Sequence, residues 1–438
     1  MVAAKSTRYK APIEYETPIT PMKSATYIYA CRLLSDFDQI PDSSREPTLA
    51  ANWQQAGLAA ISGCNSDNGL TVAADGALQA FKSLCSHDIP IASGGQLLTE
   101  RALTTGFRAK PAWNPGQSAQ LIPTKTEMIV INLPRASDWD NLHALLETNI
   151  ETTWSALKEA CLLSTAETLI ERGRLLDLAI AGTEPDRLTH AWHKRTPLGG
   201  TRVKNKPLRV IDLSSLWAGP LCGHLLWQAG CEVIKVESQQ RPDGARFGHA
   251  GFYDLLNQGK LSICLDFKNS SDIDYLCELL ASADIVIEAS RPRALRQLGI
   301  QSEQIVTDNP GISWIAISAY GREEPEANWV GFGDDTAVAA GLSHYHYQAT
   351  GEWRILGDAI ADPLTGLHGA VAALASQKNG GGELIELSLN QTVHFGLTHT
   401  PSLPMTQANA FAEPRRATRA AKNLGEDNSR RETLISRR

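Results

Sequence analysis

The fold is decided by the stretch LRVIDLSSLWAGPLCGHLLWQAGCEVIKVES, residues 208–238. Its two ends, LRVIDLS and EVIKVES, are short runs rich in β-forming residues, and the segment GPLCGHLLWQAG between them has the length of a helix. A strand, a helix and a second strand in this order predict a βαβ crossover between parallel strands.

The same alternation continues downstream. Further β-rich runs are SICLDF (262–267), DIVIEAS (284–290) and SWIAIS (313–318), and SDIDYLCELLASA, between the first two of these, has helical length. The repeated crossover predicts an α/β fold with a doubly wound, mostly parallel, Rossmann-like sheet. Ligands of such sheets bind at the carboxyl ends of the strands.

The upstream half predicts a second, smaller α/β domain. EMIVINL (127–133) is typical of a strand, whereas LAANWQQAGLAAI (49–61) and TAETLIERGRLLDLAIA (165–181) are typical of helices. The polar stretch at 182–207, which contains Pro and Gly, is typical of a linker. The predicted organisation is a flexible N-terminal segment (1–25), a small α/β domain (26–181), a linker (182–207), a catalytic domain (208–400) and a flexible or partner-draping C-terminal tail (401–438).

Composition narrows the class of partner. A net charge of −7 disfavours general binding to nucleic acid or to an anionic membrane, and the chain has no apolar run of spanning length. The eight cysteines are scattered, without the spacing of a zinc site or a disulfide framework, and residues 1–25 do not resemble a signal peptide. We expect a cytoplasmic protein without a bound metal whose partner is a small molecule.

Two features at the predicted carboxyl edge could hold a phosphate or a carboxylate. The loop LSSLWAGPLCGHLL opens a helix with a Gly-Pro turn, which exposes backbone amides but lacks the G-x-G-x-x-G spacing of a dinucleotide site. Successive loops also carry basic side chains that could surround the phosphates of a nucleotide if the loops share an edge. These residues are Arg241, Arg246, Lys260, Arg291, Arg293 and Arg296.

The stretch RILGDAIADPLTG (354–366) places two acids, Asp358 and Asp362, in an apolar approach to a helix. Asp362 followed by Pro363 is a typical helix start, with Asp as the N-cap. The positive end of the helix dipole favours an ionised carboxylate, which is the form able to attack an electrophile. The capping and the catalytic interpretations of Asp362 are therefore compatible.

From Leu208 to about Leu389 the chain resembles the class III CoA-transferases, the family that includes formyl-CoA and carnitine CoA-transferases and the α-methylacyl-CoA racemases. The runs that carry the resemblance are VIDLSSLWAGPLCGHLLWQAGCEVIKVE, LLNQGKLSICLDFK, DIVIEASRPRALRQLGI, NPGISWIAISAYG and GDAIADPLTGLHGAVAAL. It implies transfer of CoA from an acyl-CoA to a carboxylic acid, with coenzyme A as co-substrate, no permanently bound cofactor and an interlocked homodimer. It also implies that Asp362 is the nucleophile and passes through aspartyl anhydride and aspartyl-CoA thioester intermediates.

The resemblance extends to binding residues. Trp217, Ala218 and Gly219 are expected to line the CoA or acyl pocket, and Arg246, Lys260 and Arg291 are expected to contact CoA phosphates. Amides near Gly219 and Gly116 are candidate donors to the oxyanion. In this chain Trp217 stands where formyl-CoA transferases have Gln, and EASRPR replaces the common ENFRPG.

Two alternatives remain open. A racemase needs a His and an Asp as paired bases, but the racemase pattern GHDINY reads GDDTAV here, so that Asp334 stands in place of the His. A non-catalytic CoA-binding subunit is the other alternative. It arises because the upstream motifs that resemble the family's small domain precede the catalytic domain. This order resembles a circular permutation or part of a tandem duplication.

Overall fold

The computed structural model describes residues 24–45, 52–185, 188–203, 207–402 and 413–435. Most of the predicted flexible segment 1–25 lies outside these ranges. The upstream region begins with helices on the surface of the larger unit and continues into a three-stranded antiparallel sheet in the order β1-β2-β3. Its elements are α1 (Ala25–Ser35), α2 (Leu58–Ser62), α3 (Leu70–Leu84), α4 (Gly94–Leu97), α5 (Glu100–Thr105), β1 (Ala119–Pro123), β2 (Met128–Asn132), α6 (Ala136–Asp140), α7 (Leu142–Leu146), α8 (Trp154–Cys161), α9 (Ala166–Leu175) and β3 (Ala179–Gly182).

In the described part of the chain, the larger unit is built on a seven-stranded sheet in the order β4-β10-β9-β8-β5-β6-β7. All neighbouring pairs are parallel except β4 with β10. The predicted α/β class, with its mostly parallel sheet and smaller second sheet, is confirmed. The elements are β4 (Lys194–Pro197), β5 (Arg209–Asp212), α10 (Ala218–Gln228), β6 (Glu232–Ser238), α11 (Ala250–Asn257), β7 (Leu261–Leu265), α12 (Ser270–Ala281), β8 (Ile285–Glu288), α13 (Pro292–Gln297), α14 (Ser302–Asp308), β9 (Ser313–Ser318), α15 (Gly333–Ala339), α16 (Leu342–Thr350), α17 (Ala361–Lys378), β10 (Glu383–Ser388), α18 (Leu389–His399) and α19 (Arg431–Ile435).

Alternating side chains along the strands separate two apolar layers. Val210, Ile285 and Ile287 belong to the core that includes α10 and α17, whereas Ile211 and Val286 belong to the core that includes α12. This follows from the two-residue period of a strand, which sends neighbouring side chains to opposite faces. Both faces of the sheet are therefore covered, as a parallel sheet requires.

The direction of strand addition reverses at β5. From β5 the chain adds β6 and β7 on one side and β8, β9 and β10 on the other. The carboxyl ends of β5 and β8 flank this switch point, where open α/β sheets bind their ligands. The loop from β5 leads into α10, and α10 packs directly against α17.

Several segments differ from the sequence-based expectation. The predicted linker contains β4, which pairs through Lys194–Pro197 with β10 at the edge of the large sheet. The predicted helix at 165–181 ends at Leu175, and its apolar end forms β3. Within LAANWQQAGLAAI, the described residues form turns before the short α2.

The described part of the C-terminal tail, residues 413–435, packs on the larger unit. Leu434 is buried in the α12 core, and its carbonyl accepts a hydrogen bond from Arg209 Nη1 at 2.6 Å. This packing differs from the expected flexible or partner-draping tail, because Leu434 is buried and Arg431 binds Asp272 on α12. A search of the described helices finds none with both the length and the apolar character needed to cross a bilayer.

Candidate active site

Asp362 lies in the first turn of α17, beside the start of α10. The helix begins at Ala361 with Ile360 as the N-cap, so the expectation that Asp362 itself is the N-cap is wrong by two residues. Its own amide donates to Ala359 O at 2.9 Å. The carboxyl group accepts a hydrogen bond from the backbone N–H of Ala218, the first residue of α10. Two helix starts therefore meet at this acid, which remains partly exposed.

A glycine makes room for the Asp362 carboxyl group. A Cβ placed on Gly333, the first residue of α15, would lie 2.0 Å from Asp362 Oδ2 and 2.5 Å from Ala359 O. No side chain fits at that distance, so this position requires glycine for steric reasons. Gly219 is similarly constrained, because its Cβ would lie 2.1 Å from Ser214 Cβ.

Asp358 and Asp334 form a buried acidic group next to Asp362. Arg101 from α5 binds Asp358 through two hydrogen bonds, Nε to Oδ2 at 2.8 Å and Nη2 to Oδ1 at 2.5 Å. Asp334 Oδ1 accepts from the Ala359 amide at 2.8 Å, and Asp334 Oδ2 accepts from Asn114 Nδ2 at 2.7 Å. The residues that hold these two acids therefore include two from the upstream region.

Asp335 extends the same group toward the antiparallel sheet. Asn132 Nδ2 donates to its Oδ1 at 2.9 Å, and the Tyr320 hydroxyl donates to its Oδ2 at 3.2 Å. The amide of Phe332 also donates to Oδ1, at 3.0 Å. The contacts of Asn132 on β2 and Asn114 before β1 follow from the packing of β2 and β3 against α15.

The surroundings of Asp362 favour its protonated form, whereas the helix start was expected to favour the ionised carboxylate. Removal from water raises the pKa of its carboxyl group to about 7; the positive charge of Arg101 opposes the rise, and Asp334 and Asp358 add to it. Burial likewise raises the pKa of Asp335 to about 7 and raises the pKa of Asp334. Loss of hydration therefore outweighs the helix start, so that Asp362 is only partly ionised at neutral pH, whereas the helix dipole alone favours the ionised form.

The expected pocket residues Trp217, Ala218 and Gly219 lie at the start of α10, beside Asp362. Trp217 is 2% exposed, packs edge-on against Phe252 at 5.1 Å between ring centroids, and lies beneath the Arg101 guanidinium at 5.1 Å. Its indole N–H has no hydrogen-bond partner among the described residues. The Ala218 amide, next to Trp217, faces the Asp362 carboxyl group.

The expected phosphate contacts are separated by the fold. Lys260 is 2% exposed, and its Nζ donates to Asp212 Oδ2 at 2.8 Å and to Pro220 O at 2.9 Å. The expectation that Lys260 contacts a phosphate does not fit this burial, because the ammonium group is hydrogen-bonded to Asp212 and Pro220 beneath the β5–α10 loop. Arg246 is engaged by Glu237 through Nε at 2.8 Å and Nη2 at 2.6 Å, and its side chain is 15% exposed.

Arg291 is the most accessible of the three cations. Its side chain is 35% exposed and pairs with Asp177 Oδ1 at 2.5 Å, at the start of α13 and beyond the carboxyl end of β8.

Gly116 is exposed and lies two residues after Asn114, so the loop expected to supply an oxyanion donor does approach the acidic group.

A cavity of about 780 Å³ opens at the ends of β9 and β10, lined by residues that include Arg174, Tyr320, Arg322 and Trp329. Asp362 is not part of its lining, and Tyr320 connects it to Asp335. The described residues contain no group of three His, Cys, Asp or Glu side chains arranged to hold a metal ion.

Sequence reasoning missed Arg101, Asn114 and Asn132 as members of the site. Arg101 and Asp358 are 257 residues apart in the chain, and no local pattern around Arg101 marks it as functional. Asp334 had been noted only as a replacement for a racemase His. The doubled acid GDD on an otherwise apolar helix start was the one local signal that the group contains more than one carboxylate.

Comparison with known proteins supports the resemblance. The sequence model of CoA-transferase family III matches residues 206–425, which is half of the chain. An "acyl-CoA transferase" of Fusarium pseudograminearum is 30% identical over 204 residues, covering 42% of this chain and 45% of that protein. The human succinyl-CoA:glutarate CoA-transferase is 30% identical over 208 residues, covering 44% of this chain and 48% of that protein.

A solved structure of a hypothetical protein from Mycobacterium tuberculosis aligns with a TM-score of 0.40 at 27% identity, covering 44% of this chain and 57% of that chain. The chain spans about half the length of the two curated relatives described above.

Proposed function

This chain belongs to CoA-transferase family III, and on that premise we propose that it transfers CoA from an acyl-CoA thioester to a carboxylic acid. The observation that carries the proposal is the position of Asp362 within the family match: a partly exposed residue whose carboxyl group lies where the starts of α10 and α17 meet. Curated relatives named for CoA transfer between carboxylic acids support the same reaction class.

The proposed reaction proceeds through covalent intermediates on Asp362. The ionised carboxylate attacks the thioester carbonyl, and the C–S bond breaks to give a mixed anhydride and CoA thiolate. The thiolate then attacks the Asp362 carbonyl, which releases the donor acid and forms an aspartyl-CoA thioester. The acceptor carboxylate repeats the sequence in reverse, so that one difficult exchange is divided into easier steps.

A backbone amide lies where it could donate a hydrogen bond to the oxyanion that develops in these steps. The Ala218 N–H already bonds to the Asp362 carboxyl group, and an amide in this position can stabilise an oxyanion formed at the same carbon. Gly219 and Gly116 remain proposed donors. Because the pKa of Asp362 is about 7, the reactive ionised form increases as pH rises through neutrality.

Binding of CoA is proposed at the carboxyl edge of the sheet. Arg291 is the proposed phosphate contact, since about a third of its side chain is exposed and its partner Asp177 is also exposed. Trp217, Ala218 and Gly219 are proposed to border the acyl end. Arg246 is a weaker candidate, because Glu237 already occupies two of its nitrogens.

One observation favours racemisation as a second candidate. Asp334, which stands at the racemase His position, has the raised pKa that a carboxylate base would need. Against it, Asp334 is 3% exposed and both oxygens are occupied by Ala359 and Asn114. Exchange of solvent deuterium into the α-carbon of a 2-methylacyl-CoA, without CoA transfer, would support racemisation instead.

The test of the proposed function is mass spectrometry of CoA species after incubation with a panel of acyl-CoAs and free acids. We expect new acyl-CoA products with the wild-type chain and none above background with Asp362→Asn. Asp308→Asn, at an exposed position on α14, is the matched control and should retain activity. Binding of CoA without product from any pair would favour the non-catalytic subunit.

A further inference from the structure

The loop that precedes Asp362 has an unusual backbone and is held by side chains from other parts of the chain. Gly357 has φ +78° and Ala359 has φ +44°, in a region of backbone conformation that residues other than glycine rarely adopt. Such a conformation persists only where surrounding contacts over-determine it. Because the Asp362 amide donates to Ala359 O, the position of the acid depends on this loop.

Three contacts fix the loop, one at each of its consecutive residues 357–359. The Gly357 amide donates to Ser62 Oγ at 2.9 Å, Asp358 is held by Nε and Nη2 of Arg101, and the Ala359 amide donates to Asp334. Asp334 is in turn oriented by Asn114. Ser62, Arg101 and Asn114 all come from the upstream region, outside the part of the chain matched by the family model.

Arg101 also offsets charge at the site. Asp334 and Asp358 act on Asp362 as negative charges, Asp335 interacts with Asp334, and Arg101 is the cation that acts on Asp362 from the side of α5. The face contributed by α10 adds the Ala218 amide and the ring of Trp217, over which the Arg101 guanidinium lies. Loss of this cation would leave neighbouring acids without their charge partner.

We propose that Arg101 and Asn114 are positioning residues for the reaction of Asp362, Arg101 through Asp358 and its charge, and Asn114 through Asp334 and Ala359. This inference rests on the proposed function. It assigns to the upstream region a role in positioning the nucleophile and in setting its charge, through the hydrogen bonds of Arg101 to Asp358 and of Asn114 to Asp334.

Opposite changes in the pH profile distinguish this role from a purely structural one. In Arg101→Gln, loss of the nearby positive charge makes Asp362 harder to ionise, so the acid limb of kcat should move to higher pH by about one unit or more. In Asp334→Asn, removal of a negative charge should move the limb to lower pH. A defect of folding alone would not shift the limb in opposite directions.

The experiment measures CoA exchange against pH for the wild-type chain, Arg101→Gln, Arg101→Lys, Asn114→Ala and Asp334→Asn, with the exposed Arg108→Gln as matched control. We expect kcat to fall about 100-fold in Arg101→Gln and Asn114→Ala, with little change in KM, as for a misplaced catalytic group. Arg101→Lys should retain part of the activity, and guanidinium added to Arg101→Gln should restore part of it.

Unchanged kcat in Arg101→Gln and Asn114→Ala, or acid limbs that stay in place in both Arg101→Gln and Asp334→Asn, would overturn the inference. If Arg101→Gln does not fold, the kcat of Asn114→Ala and the acid limb of Asp334→Asn decide the question: an unchanged kcat together with an unmoved limb overturns the inference. A wild-type chain that exchanges no CoA would instead count against the proposed function, so the two failures are distinguishable.

Discussion

At the residue scale, the ionised form of Asp362 that the proposed reaction requires is also the form that lowers the stability of the folded chain. Its ordinary pKa of 3.8 rises to about 7 in the folded chain, mainly because the carboxyl group is removed from water. Between these two values the folded state holds a proton that the unfolded state has released. Stability contributed by this group is therefore present at low pH and is lost as pH rises toward 7.

This linkage predicts that Asp362→Asn stabilises the chain at pH 8, by on the order of 1 to 3 kcal/mol, while abolishing activity. The difference in unfolding free energy should shrink as pH falls and disappear near about pH 3, below the ordinary pKa of 3.8, where both states carry a protonated carboxyl group. Urea denaturation at the two pH values measures it, with Asp308→Asn as control. A variant less stable than wild type at pH 8 would contradict the raised pKa.

Gly333 provides a steric test of the same site. In Gly333→Ala the new Cβ would occupy space 2.0 Å from Asp362 Oδ2, so the carboxyl group must move. We expect kcat to fall about 100-fold, as for a displaced reacting group. The control is Gly182→Ala on β3, whose added Cβ meets nothing closer than 3.7 Å. Equal activity in the two variants would show that Asp362 tolerates displacement.

At the element scale, the strands that could be predicted are those formed by a short, continuous run of apolar residues. The runs at 208, 232, 262, 284 and 313 all became parallel strands, because both faces of each strand are buried. β4 was missed because its sequence, KRTP, is polar and partly exposed at the sheet edge. β10, whose sequence is ELIELS, was not predicted; it follows α17 after the glycines at 380–382 and pairs with β9 and β4.

The same limit applies to the candidate site. Asp362 could be predicted because a local motif surrounds it, and its neighbours Trp217 and Ala218 follow from a second local motif. Its pKa could not, because Asp334, Asp358 and Arg101 approach from separate elements. The ion pairs of Lys260 and Arg246 could not be predicted for the same reason, because their buried partners Asp212 and Glu237 lie on other elements, β5 and β6.

The C-terminal segment is anchored through a buried ion pair. Arg415 binds Glu100 with two nitrogens and contacts His224 Nε2 at 3.0 Å, while the Glu100 side chain is completely buried. Glu100 immediately precedes Arg101, so the segment braces the start of α5 beside the site. Arg415→Ala would leave a buried acid without its partner.

We expect Arg415→Ala to destabilise the chain by about 3 to 5 kcal/mol, as measured for broken buried ion pairs. Denaturant unfolding measures the loss, and Arg416→Ala, at an exposed neighbour, should change stability little. Adding Glu100→Gln to Arg415→Ala should recover part of the loss. Equal midpoints for Arg415→Ala and Arg416→Ala would mean that the pair does not anchor the segment.

At the scale of the whole molecule, the upstream region and the larger unit share one site. We propose that residues 26–181 act as the family's small domain in permuted order, and that 208–400 form the catalytic domain. Arg101 and Asn114 reach the acidic group within a single chain. We also propose a homodimer, as the family resemblance implies.

This arrangement predicts the result of mixing two inactive variants. If each chain completes its own site, heterodimers of Asp362→Asn and Arg101→Gln contain no intact site and remain inactive. The chains are unfolded together, refolded and assayed for CoA exchange, with a refolded wild-type sample as control. Random reassortment makes about half of the dimers mixed, each with one intact site if the site is shared, so recovery toward about a quarter of that control would place Arg101 across a subunit interface.

The central claim is that the Asp362 carboxyl group becomes covalently joined to the acyl or CoA portion of its substrate. The direct test incubates the chain with an acyl-CoA and hydroxylamine, digests it and sequences the peptide that contains residue 362 by mass spectrometry. The account predicts a hydroxamate at Asp362, formed only when acyl-CoA is present. An unmodified Asp362 in a sample that is actively exchanging CoA would contradict it.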